Sequence, residues 1–490
     1  MKTILPANKE SFKKTPEIIA QELFFDKTGI CSEDATYWVK KALKNSDDGE
    51  LYGEYTINEN LYLVNGIIRN STFNSLQGFG LRSINGEQVN YAHTNNLSPK
   101  VLKILTETIS SANKGSKQKL EQHYSPSKTL YTSHNILEEI TFNKKVELLK
   151  TIDSYTRKLN PYISQVIANL SISWSVIMII KPTGNIIADI RPMSKLTVSV
   201  IANNNDRKEK GFYGGGGRKS LSFIFNASYW KKICNEAVRQ AIINLSSVSA
   251  PAGAMPVIIG NGWGGVLLHE AIGHGLEGDA IRKKSSIYYD KLEQKISIPE
   301  VTIIDDGRIP GSRGSLNVDD EGTNTQKNIL IENGYLKKFL QDRLNGRLSG
   351  SNSSGNGRRE NYTHIPIPRM MNTMMMNGKN TKDEIFSSVS NGFYAASLSG
   401  GQVDTSSGKF VFEVSEGYII KKGKIQTPVK GATLIGDGLE VLKNLSMVGN
   451  DSKLDPGIGV CGKEGQMIPV SVGQPTILVS SIIVGGTKNA

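Results

Sequence analysis

The run His-Glu-Ala-Ile-Gly-His at positions 269–274 constrains the fold of this chain more than any other feature. Only six histidines occur in 490 residues, and two of them flank Glu270 here. Histidines that share one metal ion on a helix usually lie four residues apart, on the same face. A separation of five turns the second ring about 140° away from the first on a regular helix. His269 and His274 therefore meet only on a distorted helix, and we expect Gly273 to permit the break.

The chemistry of this motif indicates a zinc-dependent hydrolase. Neutral imidazole is a common zinc ligand, and a neighbouring glutamate can act as general base toward an activated water. A catalytic zinc usually has three protein ligands, so the two histidines need a third. Cys461 is a candidate because a thiolate binds zinc well and the residue lies in a glycine-rich turn. On spacing alone, four other residues remain candidates for the third ligand: Glu277, Asp279, Asp305 and His364.

Four stretches of the chain resemble the TldD/PmbA family of metallopeptidases, and the likeness extends over almost the whole sequence. They are GNGWGGVLLHEAIGHGLEGDAIRKKSSIY, VTIIDDGRIPGSRGSLNVDDEGT, RRENYTHIPIPRMMNT (358–373) and CGKEGQMIPVSVGQPT (461–476). The resemblance implies that His269, His274 and Cys461 bind the metal, Zn²⁺, and that Glu270 is the general base. One branch of that family has lost the metal motif, whereas the present chain keeps every element and is similar to the catalytic branch.

The same resemblance implies a substrate, a partner and a location. The expected substrates are unfolded or extended peptides, whose backbone is free to pair with a glycine-rich strand near the site. The expected partner is a sister subunit of the same family that lacks the metal motif, in a cytoplasmic hetero-oligomer. A main-chain mode of recognition would give little sequence preference, and an enclosed site would protect folded proteins.

Composition excludes some classes of protein and leaves one alternative. Lysine and arginine number 58 against 46 acidic residues, a net charge of +12, but the basic residues are dispersed among acids and do not favour nucleic-acid binding. A nucleic-acid-associated regulator with a structural zinc site is the remaining alternative, and Glu270 argues against it because a structural site needs no such carboxylate. We expect no signal peptide and no membrane segment, since no apolar run reaches about 18 residues. Three widely spaced cysteines do not predict a disulfide framework, and Cys234 has the periodicity of a buried helix residue.

The pattern of elements predicts an α+β protein in two parts. Residues 1–250 alternate helices with strands, and residues 251–490 form an antiparallel β-rich domain that follows the metal-motif helix. The pair Asn85–Gly86 predicts a hairpin with a type I′ turn, and the pair Asn333–Gly334 predicts a second hairpin. A polar stretch at 114–128 is predicted to be a connector. The predicted helices are TPEIIAQELFF, SEDATYWVKKALKN, LSPKVLKILTETISSANK, the segment 142–159 and the segment 226–246.

Two glycine clusters suggest other functions. Gly260, Gly262 and Gly265 match the dinucleotide fingerprint G-x-G-x-x-G after a predicted strand, which would suit an NAD-binding oxidoreductase. The polar helix that follows argues against this. The glycines more simply allow the motif helix to pack closely, or allow the backbone to approach a substrate strand. The second cluster, GFYGGGGRKS (211–220), lacks the G-K-[ST] element of a phosphate loop and is predicted to be a mobile loop, either inert or closing over the site.

Basic residues in the extended segment NYTHIPIPRM and just before it are further candidates for the site. His364 is a candidate for stabilising an oxyanion, and Arg358, Arg359 and Arg369 for the same role or for anchoring a peptide carboxylate. The alternative is that these are ordinary turn and surface residues.

Overall fold

A six-stranded antiparallel sheet organises the first half of the protein. The computed structural model describes residues 14–112 and 129–486, so the predicted connector at 114–128 lies outside the described residues. The strand order is β3-β2-β1-β4-β5-β6. The strands are β1 (Asp48–Val64), β2 (Ile67–Asn85), β3 (Gln88–Thr94), β4 (Ile163–Ile180), β5 (Ile186–Asn204) and β6 (Arg207–Gly217).

One face of this sheet packs against helices, and the other meets the second half of the chain. Alternate residues of β4 are buried over most of its length, which is the period-2 pattern of a strand with one apolar face. The helices are α1 (Pro16–Gln21), α2 (Ser32–Ala42), α3 (Pro99–Ala112), α4 (Phe142–Leu159) and α5 (Ala227–Ser246). Their apolar faces join the sheet in one hydrophobic core.

Local sequence explains where these helices begin and end. The helix α3 begins at Pro99, and α4 ends two residues before Pro161, whose ring cannot continue a helix. At the start of α5 the side chain of Asn226 accepts a hydrogen bond from the backbone N–H of Ser228. No helix within 14–112 and 129–486 is both long and apolar enough to cross a membrane.

The second half contains most of the strands, and most of its pairings are antiparallel. The helices are α6 (Val266–Leu268), α7 (Gly278–Arg282), α8 (Arg343–Leu348), α9 (Lys382–Ser387) and α10 (Gly438–Asn444). The strands are β7 (Val248–Ser249), β8 (Gly253–Ile259), β9 (Ile303–Asp306), β10 (Lys327–Glu332), β11 (Tyr335–Leu336), β12 (Gly357–Arg358), β13 (Ile367–Pro368), β14 (Asn372–Met375), β15 (Asn391–Val403), β16 (Lys409–Lys421), β17 (Lys424–Lys430), β18 (Thr433–Asp437), β19 (Leu445–Val448), β20 (Lys453–Leu454), β21 (Val460–Lys463), β22 (Gln466–Pro469), β23 (Ser471–Gln474) and β24 (Ile477–Gly485).

Five of these strands close into a ring. The order β15-β8-β24-β18-β16 is completed by a pairing of β15 with β16, so the sheet has the closed form of a small barrel. A second sheet has the order β11-β10-β9-β14-β23-β20. Apolar residues of both sheets and of the metal-motif segment share a hydrophobic core distinct from the first one. The predicted α+β class is confirmed, while the boundary near residue 250 stays a prediction.

The two Asn-Gly pairs have different outcomes. Both loop residues of the second hairpin, Asn333 and Gly334, have positive φ (50° and 83°), as a type I′ turn requires. The first hairpin forms, but its type I′ assignment is wrong. Asn85 is still paired in the strand, opposite Gln88, and of the two loop residues only Gly86 has a positive φ (59°).

The glycine cluster at 211–220 is not a loop, so that prediction is wrong in both of its forms. Residues 211–217 belong to β6 and pair in continuous register with β5. Packing is the physical reason, because a Cβ at Gly211 would lie 1.9 Å from the carbonyl oxygen of Ala237 on α5. Glycine therefore lets β6 approach α5 closely. The strand propensity of glycine is weak, and it does not reveal such a packing requirement.

Candidate metal centre

The metal-motif segment follows β8 and is a helix of changing pitch. A short α-helical stretch (Val266–Leu268) leads into a π-helical turn (His269–Gly273) and then a 3₁₀ turn (His274–Leu276). The N–H of His274 bonds to the carbonyl of His269, five residues back. This wider turn brings the two imidazoles side by side, with ring centroids 5.0 Å apart. The distortion predicted from the five-residue spacing is therefore present.

Gly273 serves a different purpose from the predicted one. Its φ and ψ are −57° and −51°, ordinary helical values, so the backbone does not need glycine for the distortion. A Cβ at this position would lie 2.0 Å from the sulfur of Met370, a fully buried side chain. Gly273 is thus required by close packing, and the predicted role in breaking the helix is wrong.

Cys461 reaches the two histidines from a distant part of the chain. It lies on β21, in a two-stranded hairpin with β22, and its side chain is buried. Its Sγ is 3.3 Å from Nε2 of His274. One ligand atom from each of His269, His274 and Cys461 lies within 4.8 Å of the other two. The structure brings these three residues together, although 187 positions separate Cys461 from His274.

The donor set fits a divalent metal of the zinc type. Among the described residues neither ring nitrogen of His269 has a hydrogen-bond partner, so a buried donor set is left for a metal. Burial raises the pKa of the Cys461 thiol, but the adjacent His269 and His274 outweigh it and lower the pKa well below its usual value. Imidazole nitrogen and thiolate sulfur both bind zinc, and three protein ligands leave the one open position that a catalytic zinc site has.

A buried carboxylate and a lysine support His274. Glu277 is fully buried, and its Oε2 lies 3.0 Å from Nδ1 of His274 and accepts a hydrogen bond from Nζ of Lys463 at 2.9 Å. Lys463 also donates to Asp279 at 2.7 Å. Burial raises the pKa of Glu277, but the charges of Lys463 and His274 dominate and hold that pKa at about 2. A carboxylate on the second nitrogen fixes the orientation of a ligating imidazole.

Glu270 is the most accessible member of the motif. Its side chain is 21% exposed, whereas both histidines are buried. Its Oε2 lies 3.7 Å from Nε2 of His274, the nitrogen nearest to Cys461. A carboxylate at this distance and exposure is within reach of a water at the centre of the cluster.

The other residues predicted as possible third ligands either lie outside the cluster of His269, His274 and Cys461 or contact His274 through its other ring nitrogen. Glu277 and Asp279 hold His274 and Lys463 rather than joining the three converging ligands. The carboxylate of Asp305 accepts hydrogen bonds from the backbone N–H of Met371 and from two side chains, and so fixes a strand. His364 is half-buried and interacts with Asn361 and Thr363.

Arg369 has a role that sequence did not indicate. It is fully buried, and its Nη2 donates to the carbonyl oxygen of Cys461 at 2.7 Å and to the Sγ at 3.1 Å. The residue therefore holds the hairpin and the thiolate in place. Arg358 donates to the carbonyls of Met370 and Pro469, and Arg359 pairs with Glu50.

The fingerprint glycines pack the metal-motif segment against its neighbours. A Cβ at Gly260 would lie 2.5 Å from the carbonyl of Ala396, and one at Gly265 would lie 2.7 Å from the backbone nitrogen of Gly473. The preceding strand β8 has one parallel and one antiparallel neighbour in a closed ring. A dinucleotide fingerprint opens a parallel βαβ unit, so the NAD-binding alternative does not fit this fold.

Sequence comparison supplies the family. The signatures of three domains of PmbA/TldA metallopeptidases match this chain: domain 1 at residues 49–114, the central domain at 135–245 and the C-terminal domain at 252–486. A protein of Buchnera aphidicola from Schizaphis graminum, named Metalloprotease TldD homolog, is 46% identical over 90% of this chain and 93% of its own length. The chain belongs to the PmbA/TldA metallopeptidase family.

Two more distant similarities extend the comparison. A protein of Saccharolobus solfataricus named Zinc metalloprotease TldD homolog is 32% identical over 54% of this chain and 59% of its own length. The crystal structure of TldE from Thermococcus kodakarensis superposes with a TM-score of 0.74 at 19% identity, covering 92% of this chain and all of that one. The fold described above is therefore shared with that protein.

Proposed function

We propose that this protein is a zinc-dependent peptidase in which His269, His274 and Cys461 hold the metal and Glu270 is the general base. The observation that carries the proposal is the convergence of these three ligand atoms within 4.8 Å of one another. The family membership and the names of the relatives as metalloproteases support the reaction class. The name of the Saccharolobus relative and the imidazole–thiolate donor set support zinc.

The residues around the site have distinct tasks in this proposal. Zinc, when bound, supplies the Lewis acidity that activates water and polarises the scissile carbonyl. The carboxylate of Glu270 takes a proton from the attacking water and passes it to the leaving amine as the C–N bond breaks. Glu277 and Lys463 keep His274 oriented, and Arg369 does the same for Cys461 through its carbonyl and sulfur.

Extended peptides are the proposed substrates, because the ligand-bearing hairpin offers an edge for main-chain pairing. The strand β21, which carries Cys461, pairs with β22 alone among the described strands. An unfolded peptide can add to such an edge, whereas a folded protein cannot. The proposed setting is a cytoplasmic hetero-oligomer with a sister subunit that lacks the metal motif. The reducing cytosol would preserve the three free cysteines.

Replacement of Glu270 by glutamine tests the proposal. The variant should retain one zinc per chain and the far-ultraviolet circular dichroism of the parent, because Glu270 is partly exposed and is not one of the three ligands. Cleavage of an unfolded substrate such as reduced, carboxymethylated lactalbumin should fall by about 10²–10⁴-fold, the contribution of a general base.

The matched control is Glu332→Gln, which makes the same change at an exposed strand end. Its activity should equal that of the parent. Full cleavage by Glu270→Gln would refute the base assignment, and absence of metal from the parent protein would refute the whole proposal. Assembly is tested by co-expressing the chain with a family member that lacks the metal motif. A monomer as active as the mixture would exclude the proposed hetero-oligomer.

A further inference from the structure

A basic cavity lies between the two halves of the protein. Its volume is about 380 Å³, within the range of small-molecule sites. One wall is the helix-free face of the first sheet, formed by β1, β4 and β5, and the other consists of loops from the second half. Four of the cations that line it form no ion pair with any described carboxylate: Lys195, Arg218, Arg313 and Arg358. None of them has a role in the mechanism proposed above.

The three arginines are buried, and within the described residues their side chains donate hydrogen bonds to backbone carbonyls alone, while Arg218 also lies over the ring of Tyr131 at 5.6 Å. Arg313 donates through Nε to the carbonyl of Gly459 at 2.7 Å, and Arg218 makes one long bond of 3.4 Å to the carbonyl of Pro192. Arg358 donates to two carbonyls. Nη1 of Arg313 and Nε of both Arg218 and Arg358 have no partner in the described part of the chain, and each of these residues is at most 7% exposed.

The acidic groups at the cavity do not balance these charges. Asp320 pairs with Arg191, which also contacts the cavity. Burial raises the pKa of Glu54 to about 7, so this carboxyl is partly neutral near pH 7. Glu360 accepts a hydrogen bond from the backbone N–H of Met467. The fourth cation, Lys195, is half-buried on β5, and among described residues no carboxylate forms an ion pair with it.

Burial lowers the pKa of two of these arginines. Burial lowers the pKa of Arg313 to about 10, and the charge of Arg218 adds to the decrease. Burial also lowers the pKa of Arg358 to about 9, although Asp320 opposes this. Unpaired cations in a desolvated space are unfavourable unless a counter-charge is present.

The glycine strand explains how two of these cations come together. Gly217 ends β6 with a φ of 149°, and a Cβ there would lie 2.5 Å from the carbonyl of Gly311. The backbone N–H of Arg218 donates to that same carbonyl at 3.1 Å. This contact joins the glycine cluster to the loop that contains Arg313. The glycine cluster at 211–220, which was predicted to be a loop, therefore helps to position the arginines of the cavity.

We propose that this cavity binds an oxyanion ligand, a phosphate- or carboxylate-bearing group with at least two negative charges. Planar guanidinium groups match the two oxygens of such an anion, and a divalent anion supplies the missing counter-charge. The cavity lies behind the metal ligand. Pro469 lines it and pairs with Val460, whose side chain points away from the face that carries Cys461. The ligand would therefore contact the hairpin from its other side.

Calorimetric titration of the metal-loaded protein tests this proposal without any measurement of cleavage. The probes are sodium phosphate, sodium succinate, and an acidic peptide in free-acid and C-terminal amide forms, at an ionic strength held constant with chloride. We expect saturable binding of at least one probe at one site per chain. Lys195→Met and Arg313→Gln should each weaken it roughly 10- to 100-fold, the loss of one charge-assisted hydrogen bond. Lys208→Met, which removes an exposed lysine from the same sheet, should leave it unchanged.

The four probes distinguish the sources of the anion. Binding of the free-acid peptide and not of its amide assigns the site to a peptide carboxylate, whereas binding of phosphate or succinate alone assigns it to a free small anion. Absence of saturable binding by every probe would overturn the proposal. Equal weakening by Lys195→Met and Lys208→Met would also overturn it, because the effect would then be one of net charge. Loss of peptidase activity in Glu270→Gln bears only on the proposed function.

Discussion

Replacement of Gly273 by alanine isolates the packing that shapes the metal-motif helix. The backbone angles of Gly273 suit alanine, so any loss must come from the added methyl group. That methyl would lie 2.0 Å from Sδ of Met370, and ordinary contact needs about 3.5–4.0 Å. The sulfur must therefore move about 1.5–2 Å within a core where Met370 is fully buried.

The magnitude follows from two opposing contributions. Overpacking costs about 1–3 kcal/mol, and an overlap of this size belongs at the upper end. Alanine stabilises a helical position by about 1 kcal/mol relative to glycine. The net loss should be about 2 kcal/mol in the local free energy of opening. Hydrogen exchange in peptides covering residues 262–282 should then be about 30-fold faster than in the parent.

Two further variants make the reasoning refutable. Gly400→Ala adds the same methyl at a strand position with no heavy atom within 4 Å, and exchange at 262–282 should not change. In a double-mutant cycle, Met370→Ala should relieve part of the loss caused by Gly273→Ala, giving a coupling of about 1 kcal/mol or more. Parental exchange rates in Gly273→Ala, or strict additivity in the cycle, would show that the overlap does not determine the packing.

Three other substitutions give direct readouts. Cys461→Ser should abolish stoichiometric zinc in metal analysis, and retention of zinc at parental affinity would remove the cysteine from the ligand set. Glu277→Gln should weaken zinc binding about 10- to 100-fold in chelator competition, because His274 loses its carboxylate partner. Glu54 has a folded-state pKa raised from 4.5 to about 7, so its stabilising contribution is complete below pH 4.5 and is lost as the pH rises through 7. The free energy of unfolding should therefore fall less in Glu54→Gln than in the parent between pH 5 and 8, by up to about 3 kcal/mol, and parallel profiles would contradict this.

The centre of the site could be inferred from sequence because it rests on local geometry. A five-residue spacing of the histidines requires a distorted helix, and the π turn that begins at His269 is that distortion. The reason for Gly273 could not be inferred, since it depends on Met370, almost a hundred positions away. The supporting roles of Lys463 and Arg369 could not be inferred either, because no local pattern distinguishes a lysine that binds a buried carboxylate from a lysine on the surface.

The α+β class of the fold could be predicted from the sequence. The glycine-rich residues 211–217 show where prediction from residue propensity fails. Runs of glycine have little tendency to form strands on their own. Residues 211–217 form one because β5 supplies the backbone partners and α5 leaves no room for side chains. The first hairpin turn differs from its prediction for a similar reason. The pairing of Asn85 with Gln88 in the sheet, rather than the Asn-Gly signal, fixes which residues form the turn.

The closure of the ring of five strands has a consequence for biosynthesis. The strand β24 lies between β8 and β18, so the ring cannot form until residues 477–485 have been made. Cys461 likewise follows His274 by 187 positions. At about 5–20 residues per second, the ribosome needs roughly 10–40 s to add that stretch. During this interval the nascent chain contains His269 and His274 but neither Cys461 nor the completed ring of strands. Under the proposed function, the metal site is therefore incomplete until Cys461 and β24 have been synthesised.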